Sequence, residues 1–337
     1  MWRIGFTWLI VIFFASCGNT KNTGRYISET DTAFSKDIRD ISAKINKDPR
    51  NAQLYYNRGN TFYYQDKFRD AVLDLETAVG LDSTNAVYHY LLGETLLKMD
   101  TADSRKAKMH LERSLQLKED FPDAMLALGT LYLARQDYSK AETLFKKLAI
   151  KPDMAAKANV FMGICKKEQK DTLRALQYFE KAQESDPSNY DAAIQTALIK
   201  SAQNDPNTLK YFDKVIALNE YSDEAFYGKG LWLQKHEKYK DALANYEKVR
   251  TLNPGHILGL YNTAVIYNLF EEYAKAAEMC NKVLDLNPKN ANALALRGYT
   301  YEKRGNKKAA LQDYKEALQL DPKNAPAEAG VREIEGK

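Results

Sequence analysis

A small residue returns about every 34 positions along most of this 337-residue chain, at Gly59, Gly93, Gly129, Gly163, Ala197, Gly230, Ala264 and Gly298. The steps are 34, 36, 34, 34, 33, 34 and 34 residues. A fixed period of this length means one supersecondary unit copied and stacked, each copy burying an apolar face that it could not bury alone. The chain is thereby constrained to a repeat array, and its function is to be sought on a surface.

The last copy shows the unit. Gly298 to Tyr301 belong to a first short helix, and Ala310, Tyr314, Ala317 and Leu318 fall on one stripe of a second. Gly298 and Ala310 are expected to face each other, because an antiparallel pair with short connections needs small residues where the axes come nearest. Asp186-Pro187, Asn253-Pro254, Asn287-Pro288 and Asp321-Pro322 should end second helices, since proline disfavours a helical residue before it and supplies no donor. Asn189, Asn290 and Asn324 are placed to cap the helices that follow.

These residues resemble the tetratricopeptide repeat family. Leu260, Ala264, Tyr267, Tyr273, Ala276, Cys280, Val283 and Pro288 stand where that family puts its signature residues, as do Tyr55, Gly59, Phe62, Phe68, Ala71, Leu75 and Ala78 in the first copy. The resemblance implies an all-α fold, a right-handed superhelical solenoid of about eight helix pairs over residues 52–324. Residues 34–51 read as an extra N-terminal helix, with Ile38, Ile41 and Ile45 on one face. Residues 325–337 read as a C-terminal cap, with Val331 and Ile334 inward and Glu328, Arg332, Glu333 and Glu335 on a polar outer face. The second copy carries two extra residues near Thr101 to Ser104, and the fifth is one residue short at Asp205-Pro206-Asn207. Lys166 and Lys200 occupy a column filled elsewhere by Phe, Leu or Tyr, so the centre of the array is less well specified than its ends.

The first residues carry a separate signal. Met1, Trp2 and Arg3 precede an apolar run from Ile4 to Phe14, too short for the roughly 20 residues of a membrane-spanning helix but of the length found in secretory signals. Phe14-Ala15-Ser16-Cys17 resembles the lipobox of bacterial lipoproteins, with Phe14 where leucine is usual. That resemblance implies a signal peptide over residues 1–16, acylation of Cys17 and a polar tether through residue 33. Gly18 is not the aspartate that retains enteric lipoproteins at the inner membrane. The expectation is an outer-membrane anchor facing the periplasm.

Other chemistry is sparse. Net charge is +4, far from the basic excess of a nucleic-acid binder, so no nucleic-acid partner is expected. Cys165 and Cys280 sit too far apart in the array for a disulfide, which needs Cα atoms within about 7 Å, and Cys280 reads as a core residue. His89, His110, His236 and His256 read as scattered over different repeats without metal-ligand spacing. Paired carboxylates occur at turns (Glu271-Glu272) or in the cap (Glu333 with Glu335), and no phosphate-loop or nucleophile motif is present. No enzyme activity, cofactor or metal is expected.

In arrays of this family, first helices line a concave face that holds partner peptides. By resemblance the groove positions are Tyr56, Asn60, Tyr63 and Tyr64; Tyr90, Glu94 and Leu97; Leu126, Thr130 and Leu133; Val160, Ile164, Ile194, Leu198 and Leu231; then Tyr227, Tyr261, Val265, Asn268 and Tyr299. Tyrosine suits such a surface, with large contact area and few rotatable bonds. Tyr55, Tyr132, Tyr138, Tyr239, Tyr246, Tyr267, Tyr273, Tyr301 and Tyr314 fall instead in framework columns. The cationic clamp with which some family members hold carboxylate tails is disfavoured, because its places hold Tyr56, Asn60, Tyr90 and Leu126 and only Asn60 matches. The expected function is a membrane-anchored scaffold that binds a protein partner, as a peptide or helix, in this groove. The alternative is a lipoprotein that captures a glycan or small ligand, against which stands a longest insertion of two residues. Oligomeric state is left open.

Overall fold

The computed structural model describes residues 33–99 and 103–336; the signal, Cys17 and most of the tether lie outside them. The chain forms two compact units that divide between Leu148 and Ala149. Among the described residues every regular element is a helix, as the repeat period requires.

The N-terminal unit holds α1 (Lys36–Lys47) and the helix pairs α2–α3 (Ala52–Tyr64, Phe68–Leu81), α4–α5 (Ala86–Lys98, Ser104–Leu117) and α6–α7 (Pro122–Ala134, Tyr138–Ala149). The C-terminal unit holds α8–α9 (Ala155–Glu168, Thr172–Ser185), α10–α11 (Tyr190–Ala202, Thr208–Leu218), α12–α13 (Asp223–Lys235, Tyr239–Leu252), α14–α15 (Ile257–Leu269, Tyr273–Leu286) and α16–α17 (Ala291–Lys303, Lys307–Leu320). It closes with α18 (Ala325–Glu335). The division falls at the C-terminal end of α7, just before the repeat that holds Lys166 and begins the Lys166–Lys200 region that the sequence marks as least specified. Lys166 and Lys200 are half-buried in a column where Phe62, Leu96, Tyr132 and Leu233 are buried. Lys200 reaches Asp205 at 3.7 Å with its ammonium 5.9 Å from the centre of the Tyr211 ring, so its stem covers apolar surface while its charge stays hydrated.

The small-residue column is explained by what faces it. A Cβ added at Gly129, Gly163, Gly230 or Gly298 would come within 2.5–2.9 Å of the ring of Phe145, Phe179, Tyr246 or Tyr314, each sixteen residues on. A Cβ at Gly298 would also come within 3.2 Å of the Ala310 carbonyl, so the facing element is an aromatic side chain together with the backbone. Where the second copy is longer the partner of Gly93 is Leu111, eighteen residues on. Where the fifth is shorter, Ala197 packs in one cluster with Phe212, fifteen residues on. Insertion and deletion are thus absorbed between the helices and the packing register is kept.

Helix ends follow the sequence chemistry. Asn189, Asn290 and Asn324 accept hydrogen bonds from Ala192, Ala293 and Ala327 amides, and α9, α13, α15 and α17 stop before their Asp-Pro or Asn-Pro pairs. The turns inside the pairs place Asp66, Gln136, Lys170, Asn204, Glu237, Glu271 and Gly305 at positive φ, from 56° to 82°. In seven of the eight pairs such a left-handed residue follows the first helix; among the described residues α4 has none.

One buried polar cluster ties three helices together. The Arg58 guanidinium (α2) donates to both oxygens of Asp74 (α3) at 2.7 Å and to Ser42 Oγ (α1) at 2.9 Å. All three side chains are essentially inaccessible. Arg297 and Asp313 repeat the arrangement in the last pair, at 2.8 Å and with more exposure.

Candidate partner-binding surfaces

In the N-terminal unit, helix register puts Tyr56, Asn60, Tyr63 and Tyr64 on α2 and Tyr90 and Glu94 on α4. The Tyr63 hydroxyl donates to Glu94 at 3.0 Å, and the same carboxylate acts electrostatically on the Tyr90 phenol. Burial, reinforced by that carboxylate, pushes both tyrosines well above the usual phenol range. Tyr56 stacks on Tyr88 with ring centres 5.0 Å apart, and Tyr90 packs against Phe121 at the same distance. Tyr64 stands 77% exposed beside Tyr63. Leu126 and Thr130 are half-buried on α6, the Thr130 hydroxyl satisfied by its own helix at Ala127. These side chains form a half-buried aromatic surface organised around Glu94, with one tyrosine left projecting.

In the C-terminal unit three of the five residues expected toward the chain's far end converge. Tyr261, Asn268 and Tyr299, from α14 and α16, line one cavity of about 360 Å³ together with Glu302, Tyr314 and the α18 residues Pro326, Ala329, Gly330 and Glu333. Tyr227 is elsewhere, packed on His256 with ring centres 4.6 Å apart and accepting a hydrogen bond from Asn262 at 3.3 Å. Val265 and Leu231 line a neighbouring cavity of about 550 Å³ between α12, α13 and α14. Asn268 is common to both cavities, and its Oδ1 is buried with no hydrogen-bond partner among the described residues. Glu302 accepts the Tyr314 hydroxyl at 2.9 Å and has Lys303 at 3.9 Å on its other oxygen.

Glu333 corrects the expectation for the cap. It does not belong only to a polar outer face: Pro326, Ala329, Gly330 and Glu333 lie on one stripe of α18 that closes the cavity. Gly330 permits this, since a Cβ there would meet the Tyr314 ring at 2.2 Å. Glu302 and the α18 wall are missed when the groove is read from first-helix positions alone; the 3-1-3 spacing of the α18 residues was the available signal. Val331 and Ile334 pack inward on the core of the last repeats.

The histidines also need correction. His89 (α4) and His110 (α5) share the second repeat, and their Nδ1 atoms lie 2.9 Å apart, with His89 Nε2 3.2 Å from the Ser83 carbonyl. Burial lowers both, His110 to about 4 with help from His89 and Lys106. Among the described residues no three His, Cys, Asp or Glu side chains gather as a metal site. A histidine held below its unfolded value, near 6.5, takes up its proton more readily in the unfolded chain. Its stabilisation is therefore complete above about pH 6.5 and lost as pH falls toward 4. Melting temperature should decline over that window, and a His110→Gln variant should show a shallower decline; parallel profiles would reject the assignment. Cys165 and Cys280 are fully buried, and burial pushes the Cys280 thiol up to about 12, so that it acts as a small core residue.

Comparisons agree with this geometry. Tetratricopeptide repeat models match residues 52–85 and 156–189, 96–157 and 227–291, and 291–324. The short fifth copy lies outside these matches but still folds as α10 and α11. No curated protein matches the sequence. The C-terminal part of a tetratricopeptide repeat-containing protein from Cytophaga hutchinsonii superposes with a TM-score of 0.58 and 18% identity, over 73% of this chain and 99% of that one. The Cut9 and Hcn1 hetero-tetramer of the APC/C gives a TM-score of 0.54 and 16% identity, over 88% of this chain and 58% of that one. At such identities the likeness is one of fold. Family models over well over half of the sequence, on helix pairs with this register, establish that the chain belongs to the tetratricopeptide repeat family.

Proposed function

We propose that this protein is a membrane-anchored scaffold of the bacterial envelope that binds a protein partner on the first-helix surfaces of its repeats. Tetratricopeptide repeat proteins generally mediate protein–protein interactions. The observation that carries the reading here is the convergence of Tyr261, Asn268 and Tyr299 on one cavity. Ring faces, a polar tip and a buried amide oxygen without a partner form a surface that the fold's own packing does not complete. The anchor rests on the order of basic start, apolar run and Ala15-Ser16-Cys17. In a Gram-negative envelope Gly18, which is not the aspartate that retains enteric lipoproteins at the inner membrane, favours an outer-membrane site facing the periplasm.

The test is one experiment in intact cells. A photo-crosslinking amino acid at position 296, which lines the cavity, should capture a discrete partner. Capture should fall at least about tenfold on replacing Tyr261 and Tyr299 by alanine, as for aromatic anchors elsewhere, with helicity retained. The Cys17→Ser variant should move the chain out of the membrane fraction. Undiminished capture by the double alanine variant would remove the surface from the proposal, and an unchanged membrane fraction for Cys17→Ser would remove the anchor.

A further inference from the structure

We infer that the C-terminal unit recognises an extended segment carrying a basic side chain close to an aliphatic one, with the basic group entering the cavity between α14, α16 and α18. This rests on the peptide-binding reading above and specifies its ligand. The cavity, at about 360 Å³, is within the range of about 300–1,000 Å³ typical of ligand sites. Its polar lining is one-sided. Glu302 and Glu333 bring two carboxylates and Tyr261 and Tyr299 bring aromatic rings, while no lysine or arginine lines it. Carboxylate plus ring face is the combination that binds a guanidinium or ammonium group. Lys303 illustrates the preference from outside, its ammonium 3.9 Å from Glu302 and 4.9 Å from the centre of the Tyr299 ring.

The neighbouring cavity has different chemistry. Leu231, Val265, Ile266 and Leu269 make its lining mainly apolar, with Gln234, Lys235 and Tyr239 also on its wall, and Leu231 and Leu269 are 40% and 53% exposed, which fits an aliphatic side chain. Asn268 stands in the wall common to both, where a backbone joining the two side chains would pass. Its orphaned Oδ1 is buried in that wall, and a turn of the side-chain amide would present it to a peptide N–H, which supplies the missing donor. An acidic cavity, an apolar cavity and an acceptor between them together select a basic–aliphatic segment over an acidic one.

The probe is a phage-displayed library of random dodecapeptides selected on the purified protein. Selected sequences should hold Arg or Lys within a few residues of Leu, Ile or Val. In a synthetic peptide from the selection, replacing the arginine by citrulline, its neutral isostere, should weaken binding at least about tenfold, as expected for a charge-assisted contact. The Glu333→Gln protein should bind the arginine peptide correspondingly more weakly and discriminate it less from the citrulline peptide. Asn268→Leu should weaken both peptides alike. Peptides that bind with less than a twofold citrulline effect, or with affinity untouched by Glu333→Gln and Glu302→Gln, would overturn the basic-ligand inference and leave the peptide-binding reading standing. A selection that yields no binding peptide would count against both.

Discussion

Replacing Asp74 by alanine should lower the stability of the N-terminal unit by about 3–5 kcal/mol, the scale observed when one partner of a buried ion pair is removed. Arg58 would be left 1% exposed with its charge unmatched and its Nε and one terminal nitrogen without acceptors. Ser42 Oγ, which donates to the Ile38 carbonyl, could still accept from the guanidinium, so only one of the three Arg58 hydrogen bonds would survive. The loss is not the net value of the pair. Burial raises the Asp74 carboxyl while Arg58 pulls it back down, the signature of an attraction working against a large desolvation penalty. Replacing both groups together, as Arg58→Met with Asp74→Leu, should therefore restore most of the stability. Urea denaturation followed by circular dichroism distinguishes the outcomes. A single variant within 1 kcal/mol of the parent, or a double variant as unstable as the single, would contradict the account. Asp313→Ala should cost less, because Arg297 is 22% exposed and water can take over part of its solvation.

That pair was legible in the sequence only in hindsight. Arg58-Gly59 with Asp74 and Arg297-Gly298 with Asp313 have the same sixteen-residue offset as the glycines and their facing rings. Charged residues on amphipathic helices default to solvent, and nothing in a hydrophobic pattern distinguishes the ones that turn inward. Packing was far more readable. The 34-residue period, the shifts to eighteen and fifteen residues at the second and fifth copies, and the asparagine caps all follow from local rules that stacking repeats eight times. The site was legible in part. Register from the family brought Tyr261, Asn268 and Tyr299 to one cavity, but it also put Tyr227 in the groove, and that side chain is engaged by His256 and Asn262. Glu333 is exposed, as a cap helix with one solvent face predicts, but it also lines the cavity. Its actual place depends on how closely Gly330 lets α18 approach the Tyr314 ring, a tertiary distance without a sequence period. The division between Leu148 and Ala149 is of the same kind, set by long-range contacts that no local pattern reports.

Glycine at the turns should give the second large effect, in the opposite direction. Gln136, Lys170, Glu237 and Glu271 adopt φ of 60–62° between paired helices, a conformation that Gly305 occupies in the last repeat at 82°. For an L-residue this region costs roughly 1–2 kcal/mol, whereas glycine enters it freely and loses part of that advantage through its more mobile unfolded chain. A net gain of about 0.5–1 kcal/mol per substitution remains. All four side chains are exposed, so no buried contact is lost. The four turns lie in different repeats and share no hydrogen-bond or ion-pair partner among the described residues, so the gains should add to about 2–4 kcal/mol in the quadruple variant. Asp66 and Asn204 provide the internal control: their short polar side chains tolerate the left-handed region, so glycine there should change stability by a few tenths of a kcal/mol. Equal gains at Asn204 and Lys170 would show that unfolded-state or surface effects, and not the left-handed turn, set the response. Because these turns lie at the ends of the first helices and none of the four side chains lines the acidic cavity, peptide affinity should stay unchanged while the melting temperature rises, which separates the stability of the scaffold from the recognition it supports.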